Sequence, residues 1–435
     1  MKKLICLFVA AAMVVSFAGC SNNKKSSSGS KNSNVTLKVL THWTNLTKSD
    51  GSGWLDKFAD KFEKETGAKV KFEAITDYAT EVKTRLSSGN YGDVLDIPTG
   101  VATSDLPSFF AKIGNSNDDD LKDYYYTYVD GIKNSDGSYD VYGLSYGLSI
   151  VGAVYNKAAF KKAGIDEFPT TLDGLYDACA KLKAAGIVPV AINFKDKWPL
   201  SSAFDAIPLF ASHDGNWQNT VYKTTDLFSA DKPYGVSLSI LNKLVSNKWV
   251  EPDLTTTNWE QSKSDLGTGK VGMMFLGSWA VPQMAAAATN PDDIGFAPIP
   301  TDNTGKLYTY ASQDYMMGIA KNTKYYDLAR KYLMEFTASD FAGTQGFAPI
   351  IKGQESSDKV IKDFMATGVT VIMGEPGETG EEGSNMTKIG NEAGIDFWGG
   401  MYLQDVAIAS QQGKFDQVVK ELNKRWNEAK TTCGF

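Results

Sequence analysis

The sequence predicts an α/β protein built as two lobes, and two observations carry that prediction. Strand-like and helix-like segments alternate in two separate cycles, one before residue 100 and one after residue 150. The body they form is roughly 400 residues long, too much for one ordinary hydrophobic core.

In the first cycle, residues 35–40 are a β-rich run ending in Thr41-His42-Trp43-Thr44. A helix follows, with Trp54, Leu55, Phe58, Ala59 and Phe62 along it and Gly67 as its stop. Residues 70–74 alternate as a second strand, residues 78–88 read as a second helix closed by Gly89, and residues 94–97 are a third strand. A βαβαβ order implies a parallel sheet covered by helices. Ligands of such sheets bind beyond the carboxyl ends of the strands, which here means Trp43, Asp77, Tyr78 and residues 96–100. In the second cycle, residues 151–155 and 188–192 are strands separated by helices at 156–163 and 172–185. Residues 272–276 and 294–299 are two more short apolar strands. Two α/β cores in one chain imply a cleft between them. The Gly- and Glu-rich residues 375–384 read as a surface loop.

Composition narrows the function. The formal charge is −7, whereas nucleic-acid binding needs a basic footprint, so a nucleic-acid partner is not expected. Arg85, Arg330 and Arg425 are the only arginines. Bidentate recognition of carboxylate or phosphate favours arginine, so a neutral ligand is the better expectation. With only His42 and His213, no metal cluster or Ser-His-Asp set can be assembled by spacing. Neither a metal nor another cofactor is expected. Asp118-Asp119-Asp120 lacks the glycine and terminal glutamate of an EF-hand and reads as a solvated charge run. Leu175, Cys179 and Leu182 share one helical face, which makes Cys179 a small core residue; its pairing with Cys433 has no support in the sequence.

The amino terminus predicts an address. Lys2 and Lys3, an apolar stretch over residues 4–17, and Ala18-Gly19-Cys20 have the order of a secretory signal, and the cysteine after the small pair marks a lipoprotein signal. Residues 1–19 are expected to be removed, with lipid on Cys20. Residues 20–34 then form a Ser/Asn/Lys-rich tether that reaches about 20 Å. The body would be held at the outer face of the cell membrane.

Several runs resemble a known family, the extracellular solute-binding proteins of bacterial ABC importers, in the group that contains maltose-binding protein. The run Leu55-Asp56-Lys57-Phe58 through Phe62-Glu63-Lys64-Glu65-Thr66-Gly67-Ala68-Lys69-Val70 is similar to that family's first helix and second strand. Tyr142-Gly143-Leu144-Ser145-Tyr146-Gly147 with Val154-Tyr155-Asn156-Lys157 resembles its first inter-lobe crossing. Gly269-Lys270-Val271-Gly272-Met273-Met274 with Gly277-Ser278-Trp279-Ala280 resembles its most diagnostic segment. Ile294-Gly295-Phe296-Ala297-Pro298-Ile299-Pro300 and Ala320-Lys321-Asn322 follow in the family's order. Ser149 lies near the place of a ligand-contacting glutamate in maltose-binding protein, and Ile97 lies where that protein has a stacking tryptophan, so maltose itself is not implied. The resemblance implies a periplasmic-binding-protein fold: two lobes, each a mostly parallel sheet flanked by helices, with the ligand cleft between them. Crossings near Gly147, Ala311 and Pro349 give an N-terminal lobe of 35–147 plus 312–349 and a C-terminal lobe of 148–311 plus 350–435. It also implies hinge closure on a ligand, docking on the importer's membrane permease subunits, and a monomer.

The residue chemistry suits a carbohydrate. A pyranose needs flat aromatic surfaces for its C–H faces and donors and acceptors for its hydroxyl rim, and the chain has nine tryptophans. Trp279 follows Ser278, a natural N-cap after the strand near 271–275. Trp398 stands before Gly399-Gly400, where the resemblance implies another stacking residue. Trp198 follows the strand at 188–192, and Trp43 follows the first strand. Asp96 and Asp314 are the expected rim carboxylates, with Tyr146 and Asn193 as further candidates. Large aromatics more often fill cores, and Trp54 and Trp426, inside amphipathic helices, are assigned to packing. Two other classes bear weighing. A tethered glycoside hydrolase would use paired carboxylates, but with 51 acidic residues such pairs decide nothing. A ferric-iron or siderophore receptor would draw on Tyr124-Tyr125 and Tyr325-Tyr326, the latter early in a helix where packing is the simpler account.

Overall fold

Leu37 and Val39 turn to one side of the strand Thr36–Thr41 and Leu40 to the other, so the first sheet carries a hydrophobic layer on each face. The computed structural model describes residues 32–76, 78–98, 101–126, 131–313, 315–375 and 382–435. The expected signal, Cys20 and the tether up to residue 31 lie outside the described residues. Thr36–Thr41 pairs in parallel with Lys69–Ala74 on one side and Val94–Asp96 on the other. The helix Trp54–Thr66 crosses between the first two strands. It buries Leu55, Phe58, Phe62 and Thr66 at helical spacing, and Asp56 accepts from the Gly53 N–H at its start. Gly67 closes it in the left-handed region at φ 78°, its N–H donating to the Glu63 carbonyl at 2.7 Å. Trp54 packs at 4.8 Å from Phe341 and 5.4 Å from Phe58, the packing role its position predicts.

The second sheet has the order Val188–Val190, Val271–Gly277, Leu148–Asn156, Tyr308–Gln313, Thr370–Met373, with Ile294–Ala297 also paired to Leu148–Asn156. Both sheets are flanked by helices, as expected, but they are mixed rather than mostly parallel. Met316–Ala320 runs antiparallel to Val94–Asp96, and Leu148–Asn156 runs antiparallel to Val271–Gly277, Ile294–Ala297 and Tyr308–Gln313. Connectivity is the reason. Each of these strands enters its sheet from the other one, on the side where the parallel strands end, so it must run against them. The helix Glu382–Ala393 begins inside the segment expected to be a loop; residues 376–381 lie outside the described residues.

The passages between the sheets are hydrogen-bonded side by side. Ala311 is in register with Ile150, and Leu148 exchanges both backbone hydrogen bonds with Ala348, at 2.8 and 2.9 Å. Gly147 is tight here: a Cβ would lie 2.6 Å from the Phe347 Cβ. Trp426 is fully buried beneath the second sheet's helices, its indole N–H donating to the Thr224 carbonyl at 2.8 Å. Trp426→Ala is expected to lower unfolding stability by about 3–5 kcal/mol, read from denaturant titration. A loss under about 1 kcal/mol would show that this site collapses freely. Cys179 is buried and Cys433 partly so, and both are free thiols; burial pushes the Cys179 thiol up to about 12.

Candidate functional site

A cavity of about 560 Å³ lies where the two sheets meet. Its floor is made by strand periodicity. Ser149 and Val151 alternate with buried Ile150, and Tyr310 and Ser312 alternate with buried Ala311 on the neighbouring strand. The antiparallel register sets Ser149 opposite Ser312, and Val151 opposite Gly277. Gln218, Gln283 and Gln313 add amides, and the Tyr310 hydroxyl donates to Gln218 Oε1 at 3.3 Å. Trp43, Trp279, Trp398 and Phe347 supply aromatic walls. Among the described residues that line it, none carries a charge.

Trp43 is presented by the carboxyl end of the first strand. Asp96 Oδ2 accepts from the Thr41 hydroxyl and the His42 N–H, both at 3.0 Å, and lies 2.8 Å from His42 Nδ1. The indole packs edge-on at 5.6 Å from Phe341, and its buried N–H has no hydrogen-bond partner among the described residues. Asp96 itself is only 2% exposed and does not line the cavity; it staples the ends of the first and third strands. Tyr146 is buried behind Trp43, with ring centres 6.0 Å apart. Asp314 lies outside the described residues.

Trp279 lies across Gly277, where a Cβ would sit 2.2 Å from the indole nitrogen. Ser278 is not the helix cap that its position predicts. Its hydroxyl accepts from the Ile150 N–H at 3.1 Å, and its own N–H donates to the Ile150 carbonyl at 2.8 Å; the helix Ala280–Ala287 has no side-chain cap. Strand pairing outcompetes capping because the residue is fully buried. Trp198 stands beside the cavity rather than in its wall. It is 39% exposed, 5.8 Å from Trp279 and 4.8 Å from Trp259. Asn193 is fully buried away from the cavity, donating through Nδ2 to the Ser262 hydroxyl at 3.2 Å and through its N–H to Glu251 at 2.8 Å. Sequence reasoning thus brings Trp43, Trp279 and Trp398 together and misses the serines, the glutamines and Tyr310. Alternation about Ala311 and Ile150 was the one available signal for Tyr310, Ser312 and Ser149. One tyrosine of each pair offered for iron is engaged elsewhere: the Tyr124 hydroxyl lies 2.7 Å from Thr337 Oγ1, and Tyr326 donates to the Lys112 carbonyl at 2.6 Å.

Two carboxylates of the second sheet's lobe have raised pKa values: Asp205, fully buried behind the cavity wall, and Glu251, half-buried away from the cavity. Burial pushes Asp205 up to about 7, with the Asp396 charge adding to the rise and the Tyr402 hydroxyl and Trp398 N–H opposing it. Burial also raises Glu251, against hydrogen bonds from the Ile192 and Asn193 N–H groups. A raised folded-state pKa means that between about pH 4 and 7 the folded protein holds protons the unfolded chain has lost. Asp205 therefore favours the folded state less and less as pH rises through that window, and its effect levels off above it. The melting temperature of Asp205→Asn minus that of the unaltered protein should rise from pH 4 to 7 and then stay flat. A pH-independent difference would show that Asp205 titrates alike in both states.

Two α/β lobes around an uncharged, aromatic-walled cavity define a receptor that captures a solute between its lobes. The chain belongs to the bacterial extracellular solute-binding protein family, whose model matches residues 45–343. It is 24% identical to the multiple sugar-binding protein of Streptococcus mutans over 78% of this chain and 79% of that one. It is 25% identical to the diacetylchitobiose-binding protein of Streptomyces coelicolor over 79% of each. Among solved structures, an ABC-transporter binding protein of Bifidobacterium animalis subsp. lactis in complex with mannobiose matches at TM-score 0.73 and 28% identity, over 92% of this chain and 95% of that one. A manno-oligosaccharide-specific binding protein from the same organism, in complex with mannotriose, matches at TM-score 0.74 and 28% identity over the same shares. This family consists of binding proteins, not enzymes.

Proposed function

We propose that the protein is the sugar-capturing component of an ABC importer and takes a neutral oligosaccharide into the cleft, the lobes closing over it about the crossings near Gly147, Ala311 and Pro349. The observation that carries this reading is the lining itself. Three tryptophans from both lobes face amides and hydroxyls with no charged group among the described residues, a surface suited to sugar C–H faces and hydroxyl rims. A carboxylate or phosphate ligand would find no lysine or arginine there. The volume falls within the roughly 300–1,000 Å³ typical of pockets that enclose a drug-sized molecule, which a di- or trisaccharide resembles in bulk. The sugars named in the structural relatives make manno-oligosaccharides the first candidates.

Trp43, Trp279 and Trp398 would stack on sugar rings, and Ser149, Gln218, Gln283, Tyr310, Ser312 and Gln313 would bond the hydroxyls. Closure is favoured only by contacts that ligand adds to the closed state. The chain would be anchored by lipid on Cys20 at the extracytoplasmic face of the membrane. It would act as a monomer, docking on the importer's permease subunits. No helix among the described residues is long and apolar enough to cross a membrane. The test is thermal stability of the folded body against mannobiose, mannotriose, raffinose, chitobiose, monosaccharides and uronic acids. A ligand at a hundred times its Kd stabilises by about 2.7 kcal/mol. Shifts with neutral oligosaccharides alone, and sugar recovered intact, support the reading. Shifts only with acidic sugars, or none at all, refute it.

A further inference from the structure

Trp398 is the most exposed of the cleft tryptophans, at 52%. Its backbone is in the left-handed region at φ 65°, a conformation that a bulky residue holds only when its surroundings impose it. What imposes it is a set of long-range bonds. The Trp398 N–H donates to Asp205 Oδ2 at 2.9 Å, and the Ser201 hydroxyl donates to the Trp398 carbonyl at 3.1 Å. The Tyr402 hydroxyl donates to Asp205 Oδ1. Asp396 closes the turn by accepting from the Met401 and Tyr402 N–H groups, at 2.9 and 3.0 Å. Gly400 approaches Lys197 so closely that a Cβ would lie 2.9 Å from its carbonyl oxygen.

Asp205 is fully buried, and its neighbours Ser202 and Ala206 line the cavity. A buried carboxylate is costly unless its acceptors are used, and here each oxygen takes a donor from the segment that carries Trp398. We propose that Asp205 is the positioning residue for Trp398: its two oxygens tie the Trp398 turn and the helix Met401–Gln411 to the cavity wall, and so set where the indole stands in the cleft. The inference rests on that cleft being the sugar site, because Trp398 is one of its walls.

The decisive readouts need no ligand. In protein labelled with 5-fluorotryptophan, the Trp398 resonance is assigned with Trp398→Phe among the nine expected. In Asp205→Ser that resonance should move or broaden while the other eight hold. In Asp205→Asn, whose amide can accept from the Trp398 N–H and donate to the Tyr402 hydroxyl, it should stay in place. A Trp398 resonance unmoved in Asp205→Ser overturns the proposal. Should Asp205→Ser fail to fold, hydrogen exchange of the unaltered protein decides: the Trp398 amide should be slowed on the order of a hundredfold or more, and an unprotected amide overturns the proposal. With mannotriose, Asp205→Ser should weaken binding about tenfold, the size expected for loss of one buried hydrogen bond, yet change Trp398→Ala by less than twofold. A tenfold loss in both backgrounds would mean that Asp205 does not act through Trp398. If the unaltered protein binds no sugar, the carbohydrate reading fails, and the fluorine and exchange results still judge Asp205.

Discussion

Trp279→Ala is expected to weaken oligosaccharide binding by about thirtyfold or more and to erase the ligand-induced rise in melting temperature, while the free protein keeps its fold. A tryptophan at the centre of an interface contributes about 2 kcal/mol or more when truncated, and about 1.4 kcal/mol is tenfold in affinity. Trp279 meets the conditions for such a residue. It is half-buried, it leads the helix Ala280–Ala287 directly after the buried strand Val271–Gly277, and it faces the serine-lined floor. Removing it enlarges the cavity and admits water, so the lost stacking surface is not replaced. The fold should survive because Ser278, not Trp279, ties this corner to Leu148–Asn156. Titration calorimetry with whichever sugar gives the largest thermal shift reads the effect. A change within threefold would remove Trp279 from the site.

Gly277→Ala should reproduce that loss without removing any side chain from the cavity lining. The added Cβ would sit 2.2 Å from the Trp279 indole nitrogen, 2.5 Å from its Cδ1 and 2.8 Å from the Ser149 hydroxyl. All three atoms belong to side chains, so the indole can swing away while the strand stays paired to Leu148–Asn156. The expected stability loss is about 1–3 kcal/mol, the usual range for overpacking, with binding reduced nearly as far as in Trp279→Ala. The two changes act on one object, so the double variant should bind no worse than Trp279→Ala alone. Binding of Gly277→Ala within twofold of the unaltered protein would show that the indole's position is not what Gly277 protects.

The first sheet was legible because its signals are local. Leu37, Val39 and Leu40 alternate, Leu55, Phe58 and Phe62 recur at helical spacing, and Gly67 stops the helix where a left-handed residue is needed. The tryptophans of the cleft were half legible. Trp43 and Trp279 follow strand ends, which face the ends of a sheet, and Trp398 stands before a glycine pair. Trp198 has the same kind of position, yet it packs on Trp259 and Trp279 outside the cavity wall, a difference set by contacts far away in the chain. Asp96 had the residue type of a rim acceptor but was drawn inward by the Thr41 hydroxyl and the His42 N–H, with His42 Nδ1 2.8 Å from the same oxygen.

The α/β class, the helices and strands and much of their ends, the assignment of Trp54 and Trp426 to packing, and the family can all be read from local sequence. Each of these depends on side chains a few residues apart, whose spacing is the same in the unfolded and folded chain. The tertiary structure alone decided that the sheets are mixed, that Ser149 meets Ser312, that Gly277 makes room for an indole, and that Asp205 holds a tryptophan 193 residues away. These are matters of register and connectivity between distant segments. Many sequences with the same local periodicity satisfy them differently, so only packing the whole chain selects one arrangement.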